Sequence, residues 1–235
     1  MIKQAIVLAG GFGTRLQKVV QEVPKPMAPI NGRPFLDYQL NYLKSYGIER
    51  IIFSVGYKHE HISGYFGVEY QGLKITYAIE HEPLGTGGGI KNAFEQVKKG
   101  AALVVNGDTM FKVDLKDFFA RHQAAEAVIS LALRKVEDVS RYGAVSTDSN
   151  GRITGFSEKG AQSGPGLING GVYLIEKDFF SSHPFPEKFS MEKDAFEQYY
   201  QTDPIFGFAY DSYFLDIGIP EDYQKAQDEF QKLGY

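Results

Sequence analysis

The feature that most constrains the fold is an alternation of short apolar runs with helical patterns in the first half of the chain. Four runs rich in β-branched residues predict buried strands: Gln4–Ala9, Arg50–Gly56, Lys74–Glu80 and Ala101–Asp108. The first helical pattern opens at Pro34 and ends near Gly47, and a later one runs from Thr86, a candidate N-cap, to Gly100. Apolar strands of this kind are buried on both faces, which predicts a mainly parallel sheet flanked by helices.

The second half of the chain has a different pattern. Short runs within residues 127–136, 143–148, 152–158 and 167–176 lie close together, with Gly and Asn between them. This is typical of antiparallel or mixed sheet joined to the first half. Helical patterns return at Ser190–Tyr200 and Pro220–Leu233. Because no linker or repeat separates the halves, we expect residues 1–235 to form a single α/β domain.

Composition excludes several classes of function. The chain has no cysteine, which rules out disulfides, thiolate nucleophiles and Cys-ligated zinc. The net charge of −4 gives no overall attraction to nucleic acid or anionic lipid. No apolar run approaches the roughly 18 residues of a membrane span, and the N-terminal run is too short for a signal peptide. We therefore expect a cytoplasmic protein without a nucleic-acid or membrane partner.

A glycine-rich stretch, "LAGGFGTRL", follows the first predicted strand. Ligands of parallel sheets bind beyond the carboxyl ends of the strands, where this stretch lies. Gly10, Gly11 and Gly13 lack Cβ atoms, so backbone N–H groups there could approach an anion closely. Thr14 adds a hydroxyl donor and Arg15 a planar set of N–H donors. The pattern favours a phosphate site over a plain strand-to-helix turn.

Lys25 stands between two prolines, which stiffen the segment that carries its ammonium group. Residues 1–35 hold five Lys or Arg against a single Glu, a local charge that suits a small polyanion. The stretch has neither the Gly-Lys-Ser/Thr of a P-loop nor the third glycine of a dinucleotide fingerprint. The predicted phosphate site is therefore of another kind.

Two carboxylates follow predicted strands late in each half. Asp108 ends "VVNGD" and Asp216 ends the strand in "YFLDIG". Each alone could be a turn or capping residue. Together they could hold Mg²⁺, which binds one or two protein carboxylates, bridges phosphate oxygens and keeps several waters.

The pair of segments "LAGGFGTRL" and "PKPM" resembles the signature of the sugar-phosphate nucleotidyltransferases, and the similarity runs through nearly the whole chain. The resemblance implies the nucleotide-diphospho-sugar transferase fold, which is GT-A-like, with a Rossmann-like mixed sheet. It also implies a nucleotide-binding half over about residues 1–110 and a smaller, β-rich sugar-phosphate-binding half over about 111–235.

The same resemblance assigns site residues. Catalysis is expected from Arg15, Lys25 and Asp108, and Mg²⁺ ligation from Asp108 and Asp216. The expected nucleotide-binding residues are Leu8, Ala9, Gly10, Gly11, Gly13, Thr14, Arg15, Glu80, Pro83, Gly85, Thr86 and Asp108. The expected sugar-phosphate-binding residues are Asn106, Gly143, Glu158, Lys159, Asn169 and Gly170, although "SEK" alone would suit an exposed turn.

The substrates are less constrained than the chemistry. The Glu80 carboxylate would favour guanine, which offers two N–H groups on one edge. "GLINGGVYL" and "YFLDIGIPEDY", with two other segments, look most like bacterial members that transfer GMP to D-glycero-α-D-manno-heptose 1-phosphate for cell-surface glycans. Transfer of GMP to mannose 1-phosphate, transfer of UMP to N-acetylmuramate 1-phosphate, and a non-catalytic nucleotide-sugar-sensing subunit stay open, as does a homo-oligomer.

Overall fold

The computed structural model describes residues 2–11 and 22–234. In chain order, the strands are β1 (Gln4–Leu8), β2 (Pro29–Ile30), β3 (Arg33–Pro34), β4 (Arg50–Val55), β5 (Glu69–Tyr70), β6 (Leu73–Ile79), β7 (Ala101–Asn106), β8 (Thr109–Phe111), β9 (Ile129–Val136), β10 (Ala144–Thr147), β11 (Ile153–Ser157), β12 (Gly166–Glu176), β13 (Ile205–Tyr210) and β14 (Phe214–Asp216). The helices are α1 (Phe35–Ser45), α2 (His59–Phe66), α3 (Gly85–Phe94), α4 (Leu115–Ala124), α5 (Phe179–Ser182), α6 (Glu197–Tyr199) and α7 (Pro220–Glu229). A π-helical turn, Met191–Phe196, precedes α6, and 3-10 turns cover Lys25–Met27 and Phe230–Leu233.

A central sheet of eight strands has the spatial order β13-β9-β12-β7-β1-β4-β6-β5. The pairs β7–β1, β1–β4, β4–β6 and β13–β9 are parallel, whereas β12 runs antiparallel to both of its neighbours and β5 antiparallel to β6. The predicted mixed, mainly parallel sheet is therefore confirmed. The later strands β9, β12 and β13 extend this sheet, and β10–β11 form a separate antiparallel pair.

Successive residues of the inner strands pack into cores on opposite faces of the sheet. Val7 and Phe53 belong to the core that includes residues of α1, α4 and α7. Ile6 and Ile52 belong to the core that includes residues of α3 and the π-helical turn. None of these four side chains is exposed to solvent, because the strands are covered on both faces. This burial explains why the runs lack polar alternation.

The prediction for α3 was wrong at both ends. The helix begins at Gly85 after Leu84 and ends at Phe94, well before Gly100. Thr86 does not cap it. Instead its hydroxyl donates to Glu192 Oε2 at 2.8 Å and accepts from the backbone N–H of Met191 at 2.9 Å. The Thr86 hydroxyl was predicted to cap the helix, but it hydrogen-bonds to residues more than 100 positions away in the chain.

Hydrogen bonding continues past the carboxyl ends of the inner strands. Ala9 N–H donates to Ser54 O at 2.8 Å, Gly107 N–H to Leu8 O at 2.8 Å, and Glu80 N–H to Val55 O at 2.7 Å. The first residues of the loops are therefore held as firmly as the strands. This edge of the sheet is a rigid base for side chains that follow it.

Candidate active site

A cleft of about 530 Å³ opens at the carboxyl edge of the parallel strands. Eight of the predicted nucleotide-binding residues line it: Leu8, Gly10, Gly11, Glu80, Pro83, Gly85, Thr86 and Asp108. Ala9 is buried beneath the surface and does not line the cleft. Gly13, Thr14 and Arg15 lie outside the described residues. Their assigned roles, Arg15 in catalysis included, stay predictions.

Three predicted catalytic or metal-binding residues meet in this cleft. Lys25 Nζ lies 2.6 Å from Asp108 Oδ2 and 3.3 Å from Asp216 Oδ1. The Lys25 side chain is 11% exposed and each carboxylate 34% exposed, so the cluster is largely shielded but still reached by solvent. The fold thus brings together charges from three distant segments of the chain.

Separate elements position the two aspartates. Asp108 lies in the turn between β7 and β8, and Asp216 ends β14 directly opposite Thr109 of β8. The backbone N–H of Ile217 donates to Asp108 O at 3.0 Å, which joins the two segments. The short antiparallel pair β8–β14 therefore fixes the spacing of the carboxylates.

Gln39 anchors the turn that carries Asp108. Its side-chain amide, on the buried face of α1, donates to Asn106 O at 2.8 Å and Thr109 O at 2.9 Å. Sequence reasoning missed this residue, because the core-facing pattern of α1 gave it no distinguishing signal. The two carbonyl groups lie on either side of Asp108 in the chain, so the Gln39 amide holds both ends of the turn.

The electrostatics of the cluster are uneven. Burial opposes the charge on Lys25, but attraction to Asp108 and Asp216 outweighs it and raises the pKa of Lys25. Burial, together with repulsion from Asp108, raises the pKa of Asp216 despite the opposing effect of Lys25. Among the described residues of this cluster, one cation therefore faces two carboxylates. These three groups together carry an unbalanced negative charge that a further cation would relieve.

The donor atoms of this cluster fit Mg²⁺, which takes carboxylate oxygens and keeps waters or phosphate oxygens in its other positions. Asp108 and Asp216 are the residues that would hold it. Within residues 2–11 and 22–234, no group of three or more His, Cys, Asp or Glu is arranged to hold a metal ion. A metal at this cluster would therefore rely on water and substrate for most of its ligands.

Glu80 occupies the opposite wall of the cleft. Its Oε1 accepts from Ser54 Oγ at 3.1 Å, and its Oε2 accepts from the backbone N–H of Leu84 at 3.1 Å. A Cβ added to Gly89 would lie 2.6 Å from Oε1 and 3.0 Å from Ser54 Oγ. The carboxylate is thus fixed in a space that a glycine keeps open, and each oxygen retains a lone pair for a ligand.

A second cavity of about 250 Å³ adjoins the first, and both are lined by Asn106 and Asp216. Four predicted sugar-phosphate residues line it: Asn106, Gly143, Asn169 and Gly170. Glu158 and Lys159 are exposed and do not line it, and Glu158 Oε1 accepts from Lys193 Nζ at 3.0 Å. Their assignment to the sugar phosphate stays a prediction that would require movement of this loop.

The motif "LINGG" forms an irregularity in the middle of β12. The pairing with β9 shifts register between Asn169 and Tyr173, as in a β-bulge. Gly171 has φ +72°, and a Cβ there would lie 2.6 Å from Asn106 Nδ2. Asn169 Nδ2 donates to Tyr173 Oη at 2.9 Å, and its Oδ1 accepts from Gly171 N–H at 3.0 Å. The bulge directs these groups to the cavity wall.

Comparison with known proteins identifies the family of this chain. The sequence profile of the nucleotidyl transferase family matches residues 4–232. The chain belongs to the nucleotidyl transferase family. It is 50% identical to D-glycero-alpha-D-manno-heptose 1-phosphate guanylyltransferase of Aneurinibacillus thermoaerophilus, with 97% of this chain and 98% of that protein covered.

Two further proteins are similar to this nucleotidyl transferase over nearly all of its length. A Campylobacter jejuni protein with the same name is 47% identical, with 94% of this chain and 96% of that protein covered. The crystal structure of HddC from Yersinia pseudotuberculosis superposes with a TM-score of 0.87 at 38% identity, covering 97% and 100% of the two chains. HddC has also been solved in complex with GMP-PN. The predicted nucleotide-diphospho-sugar transferase fold is confirmed.

Sequence reasoning missed much of the second cavity of this nucleotidyl transferase. Its walls include aromatic side chains from four segments and two carboxylates from the π-helical turn and α6: Tyr142, Phe156, Tyr173, Phe196, Glu192 and Glu197. Tyr142 precedes the predicted Gly143, and this adjacency was the signal that could have found it. The others come together only in the folded chain.

No helix formed by residues 2–11 and 22–234 has the length and apolar character needed to cross a bilayer.

Proposed function

We propose that this protein transfers GMP from GTP to D-glycero-α-D-manno-heptose 1-phosphate, forming GDP-heptose and pyrophosphate. The observation that carries the proposal is the meeting of two adjoining cavities at the Lys25–Asp108–Asp216 cluster. The relatives that are 50% and 47% identical carry the name of this activity, and HddC was crystallised with GMP-PN.

The reaction is a single in-line displacement. An oxygen of the sugar's phosphate forms a bond to the α-phosphorus of GTP, and the bond from that phosphorus to the bridging oxygen of the β-phosphate breaks. Pyrophosphate leaves with the bonding electron pair. No covalent intermediate with the protein is needed, which agrees with a chain that has no cysteine.

Charge neutralisation is the main task of the site. Two unit charges about 4 Å apart repel by roughly 4 kcal/mol at an effective dielectric near 20, and both substrates carry several. Lys25 places one fixed positive charge where the two cavities meet. When bound at Asp108 and Asp216, Mg²⁺ would supply further positive charge to the phosphate oxygens. Most of the catalysis is then positioning and electrostatic stabilisation.

The two cavities divide the substrates between them. We assign the nucleotide to the larger cleft, whose lining comes mainly from residues before position 110, and the sugar to the smaller cavity, whose lining comes mainly from later residues. Glu80, held by Ser54 and Leu84, would accept from the two N–H groups on one edge of guanine. Asn169 and Asn106 would contact the sugar phosphate.

The test is pyrophosphate release with Mg²⁺ across a substrate matrix. Four nucleoside triphosphates are each combined with the 1-phosphates of heptose, mannose, glucose and N-acetylmuramate. We expect release with GTP and the heptose phosphate and little elsewhere, and loss of that release in Lys25→Ala. Preference for mannose 1-phosphate or UTP would contradict the proposed substrates but would still support nucleotidyl transfer to a sugar 1-phosphate. A folded protein that binds nucleotide but is silent throughout would instead be a nucleotide-sugar sensor.

A further inference from the structure

We propose that Glu192 selects the sugar by accepting a hydrogen bond from one ring hydroxyl of the sugar 1-phosphate. This inference rests on the proposed function and names a specificity-determining residue for it. Glu192 lies in the π-helical turn and lines the smaller cavity together with the predicted sugar-phosphate residues Asn106, Asn169 and Gly170.

One oxygen of Glu192 is held by the protein. Its Oε2 accepts from Thr86 Oγ at 2.8 Å and from Ser190 Oγ at 3.1 Å. Two hydroxyl donors on the same oxygen fix the plane and direction of the carboxylate. The side chain is therefore already oriented before a ligand arrives, which lowers the entropic cost of binding one.

The other oxygen is free. Among residues 2–11 and 22–234, Glu192 Oε1 has no hydrogen-bond donor, yet it is not a buried unsatisfied atom. Glu192 also lies near enough to Tyr173 that, after burial, its negative charge contributes to raising the pKa of that phenol. Its carboxylate thus faces the cavity beside the hydrogen-bonded pair of Asn169 and Tyr173.

A purely structural role accounts poorly for this arrangement. Backbone bonds already join the start of α3 to the segment before the π-helical turn: Gly87 and Gly88 N–H donate to Phe189 O at 3.0 and 3.3 Å, and Phe189 N–H donates to Leu84 O at 3.0 Å. The junction does not require a carboxylate. Anchoring through Oε2 alone leaves an acceptor directed at the ligand space.

The surrounding walls suit a sugar ring. Aromatic side chains, including Tyr142, Phe156 and Phe196, line the cavity and can cover the apolar C–H faces of a ring. An ionised carboxylate can only accept hydrogen bonds, so its partner on the sugar must be a hydroxyl donor. With Oε2 already bonded within the protein, Oε1 is the oxygen that would accept from one such hydroxyl. A substrate lacking that hydroxyl would leave the Oε1 lone pairs unpaired in a partly desolvated site, which gives strong discrimination.

Thr86 connects this contact to the nucleotide. Its side chain lines the larger cleft and donates to Glu192, which lines the smaller one. This hydrogen bond therefore links the wall of the larger cleft to the wall of the smaller cavity.

The experiment compares wild type, Glu192→Ala, Glu192→Gln and a control, Glu95→Ala. Glu95 is an exposed glutamate that follows α3 and lines neither cavity. The substrates are GTP with D-glycero-α-D-manno-heptose 1-phosphate and its monodeoxy analogues. Glu192→Ala should raise KM for the sugar phosphate about 10- to 100-fold, the factor for losing a hydrogen bond to a charged group. KM for GTP should change far less, and Glu192→Gln should restore part of the affinity.

The deciding readout is discrimination among the analogues. Wild type should reject one monodeoxy analogue most strongly, and Glu192→Ala should accept that analogue and the parent sugar equally well. A structural defect would instead weaken all of the substrates alike. The inference is overturned if Glu192→Ala keeps the wild-type ranking of the analogues, or if Glu95→Ala changes that ranking in the same way. Absence of wild-type turnover with every sugar phosphate would overturn the proposed function as well.

Discussion

Lys25 Nζ lies 2.6 Å from Asp108 Oδ2, although 83 positions separate the two residues in the chain. The same ammonium lies 3.3 Å from Asp216 Oδ1, 191 positions away. The three charged groups therefore meet only when segments from both halves of the chain have folded together. The cluster holds one ammonium group and two carboxylates. The ammonium group can attract substrate phosphates directly, whereas the carboxylates could do so only through a bound cation.

Replacing Lys25 with alanine should lower kcat at least about 100-fold, the loss typical of removing one preorganised electrostatic group. The protein should still fold, because the Lys25 contacts lie at the cleft and not in either core. Rates of pyrophosphate release and circular dichroism melting curves test both statements. Lys74→Ala, at the opposite edge of the sheet, is the control and should keep its activity. Similar rates for the two variants would contradict the role of Lys25.

Asp108→Asn and Asp216→Asn should each increase the Mg²⁺ concentration for half-maximal rate about tenfold or more. Each change replaces one of the two carboxylates of the Lys25–Asp108–Asp216 cluster with a neutral oxygen donor. Initial rates measured across a Mg²⁺ titration provide the test. Asp211→Asn removes a carboxylate that is 93% exposed and should leave the titration unchanged. A wild-type Mg²⁺ curve in both cluster variants would show that the metal binds elsewhere.

Asp216→Asn should also make the protein more stable near neutral pH. The pKa of Asp216 is raised in the folded state, mainly by burial and then by repulsion from Asp108. Between its ordinary value of 3.8 and the raised value, the folded state binds more protons, so the stability that Asp216 contributes falls as pH rises. The neutral asparagine avoids this loss.

The sign of this effect can be tested by melting wild type and Asp216→Asn over a range of pH. The advantage of the variant should shrink as the pH is lowered and vanish below 3.8, where the wild-type carboxyl is protonated in both states. A variant that is less stable than wild type near neutral pH would mean that attraction to Lys25 outweighs burial.

Gly89→Ala should weaken GTP binding. The new methyl group would meet Glu80 Oε1 at 2.6 Å and Ser54 Oγ at 3.0 Å, so the carboxylate would have to leave its present position. We expect a rise in KM for GTP and a reduced preference for guanine. The matched control is Gly64→Ala in α2, where an added Cβ meets nothing within 4 Å. Unchanged nucleotide kinetics in Gly89→Ala would argue against base recognition by Glu80.

The sheet and one wall of the site could be predicted because local sequence determines them. Buried strands have apolar runs, and their carboxyl ends place Leu8, Glu80 and Asp108 at one edge whatever the details of packing. Lys25 was found from its flanking prolines, a local signal as well. The edge position of Leu8, Glu80 and Asp108 needed only the direction of each strand, whereas the binding roles of Leu8 and Glu80 came from the family resemblance.

The remaining features depend on tertiary contacts between segments far apart in the chain. Thr86 was predicted as a helix cap, but its hydroxyl bonds Glu192, 106 positions later. Gln39 supports the Asp108 turn from α1, and nothing in its own helix distinguishes it from other core-facing residues. Glu158, predicted from its motif, pairs with Lys193 at the surface in this conformation.

Asn106 and Asp216 are the residues shared by the walls of the two cavities within the described part of the chain. The remaining walls of the smaller cavity come from β10, β11, β12, the π-helical turn and neighbouring segments, none of which supplies Lys25 or Asp108. Substitutions at Tyr142, Phe156 or Phe196 would leave the Lys25–Asp108 contact unchanged. The cavity assigned to the sugar can therefore change during evolution while the charged cluster is kept. A few substitutions in that one cavity could then change which sugar fits.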